Sequence, residues 1–332
     1  MSKKAQNIFL IFGLTVLAIM VAQLDFAEVW QGIRNAGYWF IAVIALWAFL
    51  YIFNAAAWYI IINSDGKKGI SFAHIYKLTV SGFALNYATP GGMMGGEPYR
   101  IMSISPYVGA EKASSSVILY AMTHMFSHFW FWTLSIVLFI LTQTVTTELG
   151  ILLFASGVFC VLGLWFFMTG YRKGLANRIL GLARHIPVLK RWAKPFVESH
   201  KEQLDTVDSQ ISALHSQNPK IFVSAVLLEL ACRVASSLEV YFILLVLMPD
   251  VSFVQCVLVL AFTSLFANLL FFIPLQLGGR EGGFLMSITA FGISSSAAIF
   301  VALLVRLREL IWTAIGLLLI KVTVGREPSR RK

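Results

Sequence analysis

Glu97, Arg100, Glu229, Arg233, Glu239, Arg280, Glu281, Arg306, Arg308 and Glu309 stand in or beside stretches that are otherwise apolar. An ionisable group inside a hydrocarbon layer costs about 2.5–3.5 kcal/mol on insertion scales, so each needs a reason. Glu229 and Arg233 are spaced to share a helical face and to pair, and Arg306 and Glu309 to share another. Acids and bases balance in this set, which fits two readings. One is a purely structural network of ion pairs, to which Glu229, Arg233, Glu239 and Glu309 contribute. The other is a polar cavity that holds a charged group or carries protons. Arginine suits phosphate because its planar fork donates two parallel hydrogen bonds. Arg306 and Arg308 are therefore the preferred contacts to a phosphate-bearing headgroup, with Arg280 and Arg233 next. Glu97 and Glu281 would line the cavity, bind an amine or take up a proton.

His124 and His128 are spaced to lie on one helical face. The spacing suits a metal pair, but no HExxH pattern or cysteine partner accompanies it, so no metal is expected. Hydrogen bonding to a neighbouring helix is the simpler role, and a proton relay is the functional one. Cys160, Cys232 and Cys256 have neither paired spacing nor neighbouring histidines and read as small core residues. The chain has no GxxxxGK[ST] loop and no GxGxxG after a strand, and no cofactor is expected.

The elements that would position these groups follow from composition. The 332 residues are 58% hydrophobic and 13% charged, against about 45–50% and about 25% in soluble domains. Disorder, collagen, a disulfide scaffold and an ordinary soluble enzyme are excluded. An all-α polytopic membrane protein remains. The net charge of +10 then reports topology and contact with anionic lipid rather than nucleic acid.

Residues 8–24, 38–62, 113–141, 149–169, 221–247 and 295–320 are each long enough to cross, which predicts six full spans. The first follows Lys3 and Lys4 but lacks a convincing cleavage site, so it reads as an uncleaved anchor. Lysine and arginine concentrate before residue 8, at Lys67 and Lys68, between Arg172 and Lys201, and after residue 320. These regions are expected on the cytoplasmic side, with both termini inside. The basic stretch 170–218 should form an amphipathic linker on anionic lipid, or dock a cytoplasmic lipid-modifying enzyme.

Residues 71–110 and 251–294 do not read as simple spans. The first contains Asn86, then Pro90-Gly-Gly-Met-Met-Gly-Gly-Glu97; the second contains Asn268, then Pro274-Leu-Gln-Leu-Gly-Gly-Arg-Glu281. Proline and glutamate have the same spacing in both, with Gly95-Gly96 or Gly278-Gly279 just before the acid. Charge topology requires the first region to begin and end inside and the second outside, so both are expected to be re-entrant broken hairpins. Residues 38–142 and 219–322 would then be inverted-topology repeats within a single integral membrane domain spanning 1–332. Glycine-rich backbone at membrane depth survives only when buried in protein or lining a wet cavity. Two such breaks would meet near the midplane, where freed N–H groups and helix N-termini receive an anion. A plainer reading is that these glycines only permit close helix packing.

The run Asn86-Tyr-Ala-Thr-Pro90-Gly-Gly-Met-Met-Gly-Gly-Glu97-Pro98-Tyr99-Arg100, with the later Pro274…Gly278-Gly279-Arg280-Glu281, resembles the membrane region of lysylphosphatidylglycerol synthase/flippase proteins. The resemblance spans residues 8–322. It implies a membrane region that moves aminoacylated phospholipid between leaflets, while a separate soluble domain attaches the amino acid. The sequence stops at Lys332, so a stand-alone relative without that synthase domain is expected. By motif match, Pro90, Gly95, Gly96, Glu97, Arg100, Gly278, Gly279 and Glu281 are the family positions. The expectation is a non-enzymatic lipid flippase of a bacterial inner membrane, moving a phospholipid or lipid-linked headgroup through a midplane site. The alternatives are an intramembrane enzyme pairing Glu97 with His124 or His128, and a non-catalytic scaffold acting through residues 172–218.

Overall fold

A computed structural model describes residues 26–64, 70–88, 95–173, 219–270 and 278–322, with isolated positions in 7–22 and at Asp205 and Ser209. Among these residues the chain forms ten helices and no strand. They are α1 (Phe26–Ala36), α2 (Tyr38–Ile62), α3 (Phe72–Ala88), α4 (Gly96–Val108), α5 (Ala110–Thr142), α6 (Thr147–Lys173), α7 (Pro219–Leu245), α8 (Phe253–Leu269), α9 (Gly279–Ala290) and α10 (Ser295–Leu319).

Among the described residues, four helices are long and apolar enough to cross a membrane: α2, α5, α6 and α7. α10 is as long as α2 but carries Arg306, Arg308 and Glu309 in its middle. The expected first span, 8–24, lies mostly outside the described residues, as does the basic linker beyond Lys173. Pro90 and Pro274 also lie outside them. Among the described residues, α3 runs to Ala88 and α4 starts at Gly96, while α8 ends at Leu269 and α9 starts at Gly279. At 1.5 Å per residue, the 17 residues of α3 or α8 reach about 25 Å, short of the ~30 Å hydrocarbon core. Gly109 (φ 85°) and Gly292 (φ 74°) turn the chain ahead of α5 and α10.

α2 and α7 run antiparallel through the centre. Trp39 meets Phe242, Trp47 meets Glu239 and Asn54 meets Glu229, a descending order that only antiparallel helices give. Two apolar cores flank this pair. One gathers Trp58, Leu78, Leu85, Tyr99 and Ile104 with Phe222 and Ala225 from the start of α7. The other gathers Phe284, Ile288, Val301 and Leu304 with Phe40 and Val43 from the start of α2. α3 packs on α10, and α8 on α5. The α3–α10 contact is close because Gly316 faces it: a Cβ there would stand 2.5 Å from Ala84 Cβ and 2.8 Å from the Val80 carbonyl. α6 rests chiefly on α5, and its exposed Ile151, Leu152, Phe154 and Trp165 suit contact with acyl chains.

Candidate functional site

A helix of apolar residues buries its own backbone polar groups, so any polar side chain it carries must find partners across helix contacts. Seven of the ten acidic and basic residues singled out above line one cavity of about 1030 Å³. It draws Asn86 from α3, Glu97 and Arg100 from α4, His124 and His128 from α5, Glu229 and Arg233 from α7, Arg280 from α9, and Arg308 and Glu309 from α10. Phe159, Leu162, Trp165 and Phe166 of α6 close one wall. The cavity is therefore charged on one side and greasy on the other.

On the first broken pair, Asn86 stands where the N-terminus of α4 needs an acceptor. Its Oδ1 accepts from the Gly96 N–H at 2.8 Å, and its Nδ2 donates to Glu97 Oε1 at 3.2 Å. Gly96 and Gly82 let the two helices meet, since a Cβ on either would collide, with Asn86 and the Gly82 carbonyl or with the Arg100 guanidinium. Arg100 lies over Gly82, donating to the Thr79 carbonyl at 3.1 Å and to Glu97 Oε1 at 3.1 Å. Its guanidinium carbon sits 4.9 Å from the Phe83 ring centroid and 5.3 Å from that of Tyr120. Among the described residues, Glu97 Oε2 and the Tyr120 hydroxyl have no hydrogen-bond partner, although both are buried.

The second broken pair uses its glutamate differently. Glu281 folds back to accept from the Gly278 N–H at 3.0 Å, an N-terminal cap on α9, and pairs with Arg306. Neither Glu281 nor Arg306 is among the residues lining the cavity. Arg280 lines it instead and pairs with Glu309. Counted from the helix start, Arg280 and not Glu281 is the counterpart of Glu97, because each is the second residue of its helix. The Pro-to-Glu spacing aligned the acids; helix phase aligns residues of opposite sign.

The expected i, i+4 pairing of Glu229 with Arg233 does not form. Glu229 is fully buried and accepts from Asn54 Nδ2 at 3.0 Å on each oxygen, and from His124 Nδ1 at 2.7 Å. Arg233 turns to α5, donating to Ser127 Oγ at 2.7 Å, His128 Nε2 at 2.6 Å and the His124 carbonyl at 2.9 Å. Better partners across the helix contacts outcompete the neighbour one turn away. Nor do Arg306 and Glu309 pair with each other, since α9 offers each of them a closer ion partner. The imagined acid–base set of Glu97 with a histidine is likewise not assembled: the carboxylate at His124 is Glu229. Arg308 makes a two-pronged pair with Glu239, at 2.7 and 2.8 Å, under the face of Trp47.

Gly95 and Gly279 flank the starts of α4 and α9, and Gly278 takes φ 78°, a turn that favours glycine. Sequence reasoning missed Asn54, Trp47, Tyr87, Gly82 and Gly316. Asn54 was detectable as a lone amide within 25 apolar residues. Tyr87, which donates to Glu309 Oε2 at 2.8 Å, carried no signal beyond its place after Asn86. Among the described residues, no group of three His, Cys, Asp or Glu side chains is arranged to hold a metal ion.

The family model described as the lysylphosphatidylglycerol synthase TM region matches residues 8–316. No curated protein and no solved structure matches the chain.

Proposed function

Since this chain belongs to the lysylphosphatidylglycerol synthase TM-region family, whose membrane domain is tied to lipid handling, we propose that it is a lipid flippase. A phospholipid or lipid-linked headgroup enters the charged side of the cavity, while its acyl chains stay against the aromatic wall of α6. The observation that carries this reading is that both broken helix pairs open onto one cavity, through Asn86, Glu97 and Arg100 from one and Asn268 and Arg280 from the other. Arg280 and Arg233 suit a phosphate, and the open acceptor Glu97 Oε2 suits a headgroup hydroxyl or amine.

The mode of movement is rocking of two inverted halves, α2–α5 against α7–α10. Three observations support it. The halves share the order long, short, short, long. Their leading helices, α2 and α7, are antiparallel. The α3–α10 contact in one direction has its counterpart in α8–α5. The short lengths of α3, α4, α8 and α9 and the charge of the flanking loops support a re-entrant placement of both pairs, with the termini in the cytoplasm of a bacterial cell.

Fluorescently labelled phosphatidylglycerol in proteoliposomes, with dithionite bleaching of the outer leaflet, tests the reading. Glu97→Gln and Arg280→Gln are expected to slow label movement at least about tenfold, the loss of one charge-assisted hydrogen bond, while eluting as folded protein. Wild-type rates in both variants would refute it. The labelled lipid should be recovered chemically unchanged; turnover to a new lipid species would favour an enzyme.

A further inference from the structure

Four carboxylates of the charged network are matched to guanidinium groups: Glu97 to Arg100, Glu239 to Arg308, Glu281 to Arg306 and Glu309 to Arg280. Arginine does not give up its proton in proteins, so those pairs hold constant charge. Glu229 breaks the pattern. Among the described residues its ion partner is His124, a group that gains and loses a proton near neutral pH. Arg233 breaks it too, because its three contacts are a hydroxyl, an imidazole nitrogen and a carbonyl.

The partners fix the tautomers. A carboxylate only accepts, so His124 Nδ1 carries the hydrogen it shares with Glu229, leaving Nε2 to receive a proton. The ring lines the cavity, and 24% of the side chain is exposed there. His128 is different. Its Nε2 accepts from Arg233, and its Nδ1 donates to the His124 carbonyl at 3.2 Å. Both nitrogens are used by the neutral ring, and a second proton would point a donor at a guanidinium. Of the two histidines, only His124 can change charge without breaking its contacts.

We propose, on the reading of the cavity as a lipid path, that the protein couples lipid movement to proton movement, and that the His124–Glu229 pair is the proton-carrying site. Water in the cavity gives a proton to His124 Nε2; Nδ1 keeps its bond to Glu229. The layer formed by Glu229, His124 and Arg233 then changes from neutral to a single positive charge, which matches one phosphodiester. Proton and headgroup enter as a neutral set, and cross without carrying net charge through the low-dielectric layer. On the far side the proton leaves Nε2 for water and the phosphate loses its counter-charge. The groups facing His124 are Glu229 and Arg233 from α7, Arg100 from α4, and Tyr120 and His128 on its own helix. α3 sets the uncharged Phe83 against the ring; Tyr51 of α2 and Tyr87 of α3 are the titratable cavity-lining groups of those helices, and the cavity-lining residues of α6 and α8 do not titrate.

The test uses labelled phosphatidylglycerol in proteoliposomes with the membrane potential clamped and the external pH fixed. Outward movement should be several-fold faster with an acidic interior than with no gradient, and the ratio should fall to unity in His124→Gln, while His128→Gln keeps it. Reading a ratio separates coupling from a general loss of rate. A wild-type ratio of unity, or an unchanged ratio in His124→Gln, would overturn the proposal. Nitrogen-15 spectra of histidine-labelled protein in nanodiscs give a reading independent of transport. The His124 Nε2 signal should shift between about pH 5 and 8, and a ring constant over that range would sink the proton site. Wild-type protein that moves no lipid under any gradient would remove the lipid path and the coupling together, with the spectra still deciding the proton site.

Discussion

Replacing Arg308 tests how much of the charged network is structural. Its guanidinium makes two short bonds to Glu239 and covers Trp47 at 3.9 Å, and both ionised side chains are about one-twentieth exposed. Arg308→Met leaves Glu239 buried with Trp47 Nε1, at 3.0 Å, as its remaining donor. Removing one partner of a buried ion pair costs about 3–5 kcal/mol. Glu239→Leu should cost less, because Glu309 stands 3.8 Å from Arg308 and can accept it. Removing both charges leaves only the orphaned Trp47 N–H, about 1–3 kcal/mol. The double variant should therefore be more stable than Arg308→Met alone, and because Glu239→Leu and the double variant orphan the same Trp47 N–H, the coupling should be about 3–5 kcal/mol, the full cost of Arg308→Met. Equilibrium unfolding in mixed micelles, followed by tryptophan fluorescence, gives all corners of the cycle. Additivity within about 0.5 kcal/mol would refute the reasoning, as would a Glu239→Leu loss larger than that of Arg308→Met.

Other perturbations reach other joints of the molecule. Gly316→Leu forces α3 away from α10 at Val80 and Ala84 and should cost about 1–3 kcal/mol or more, read in the same unfolding assay; wild-type stability would count against the packing. Gly82→Ala displaces the Arg100 guanidinium, and lipid movement should fall about tenfold, equivalent to one lost hydrogen bond near 1.4 kcal/mol; an unchanged rate would separate Arg100 from transport. In a background with Cys160, Cys232 and Cys256 replaced by alanine, Ser236→Cys on the cavity wall should react with a charged maleimide. Ser237→Cys, fully buried one position on, should not; equal labelling would contradict a wet cavity bounded by α7.

The sequence by itself determined that this is a helical membrane protein, because 58% hydrophobic residues in long runs leave no soluble core to build. It also marked both helix breaks. α4 starts at Gly96 and α9 at Gly279, each on a glycine pair, although α9 carries Gly282-Gly283 and α4 carries Pro106 within the helix. Buried charge was equally legible, since an arginine in an apolar run must be answered by something. What answers it was not. Glu229 and Arg233 have the spacing of a pair, yet each found a better partner on α2 or α5, and Glu281 became a helix cap while Glu97 lines the cavity with one oxygen unpartnered. Spacing fixes which residues share a face of one helix; which face meets which neighbour depends on how α2 and α7 cross and on how closely Gly82 and Gly316 let helices approach. Those are distances between segments far apart in the chain, so only the folded bundle decided them.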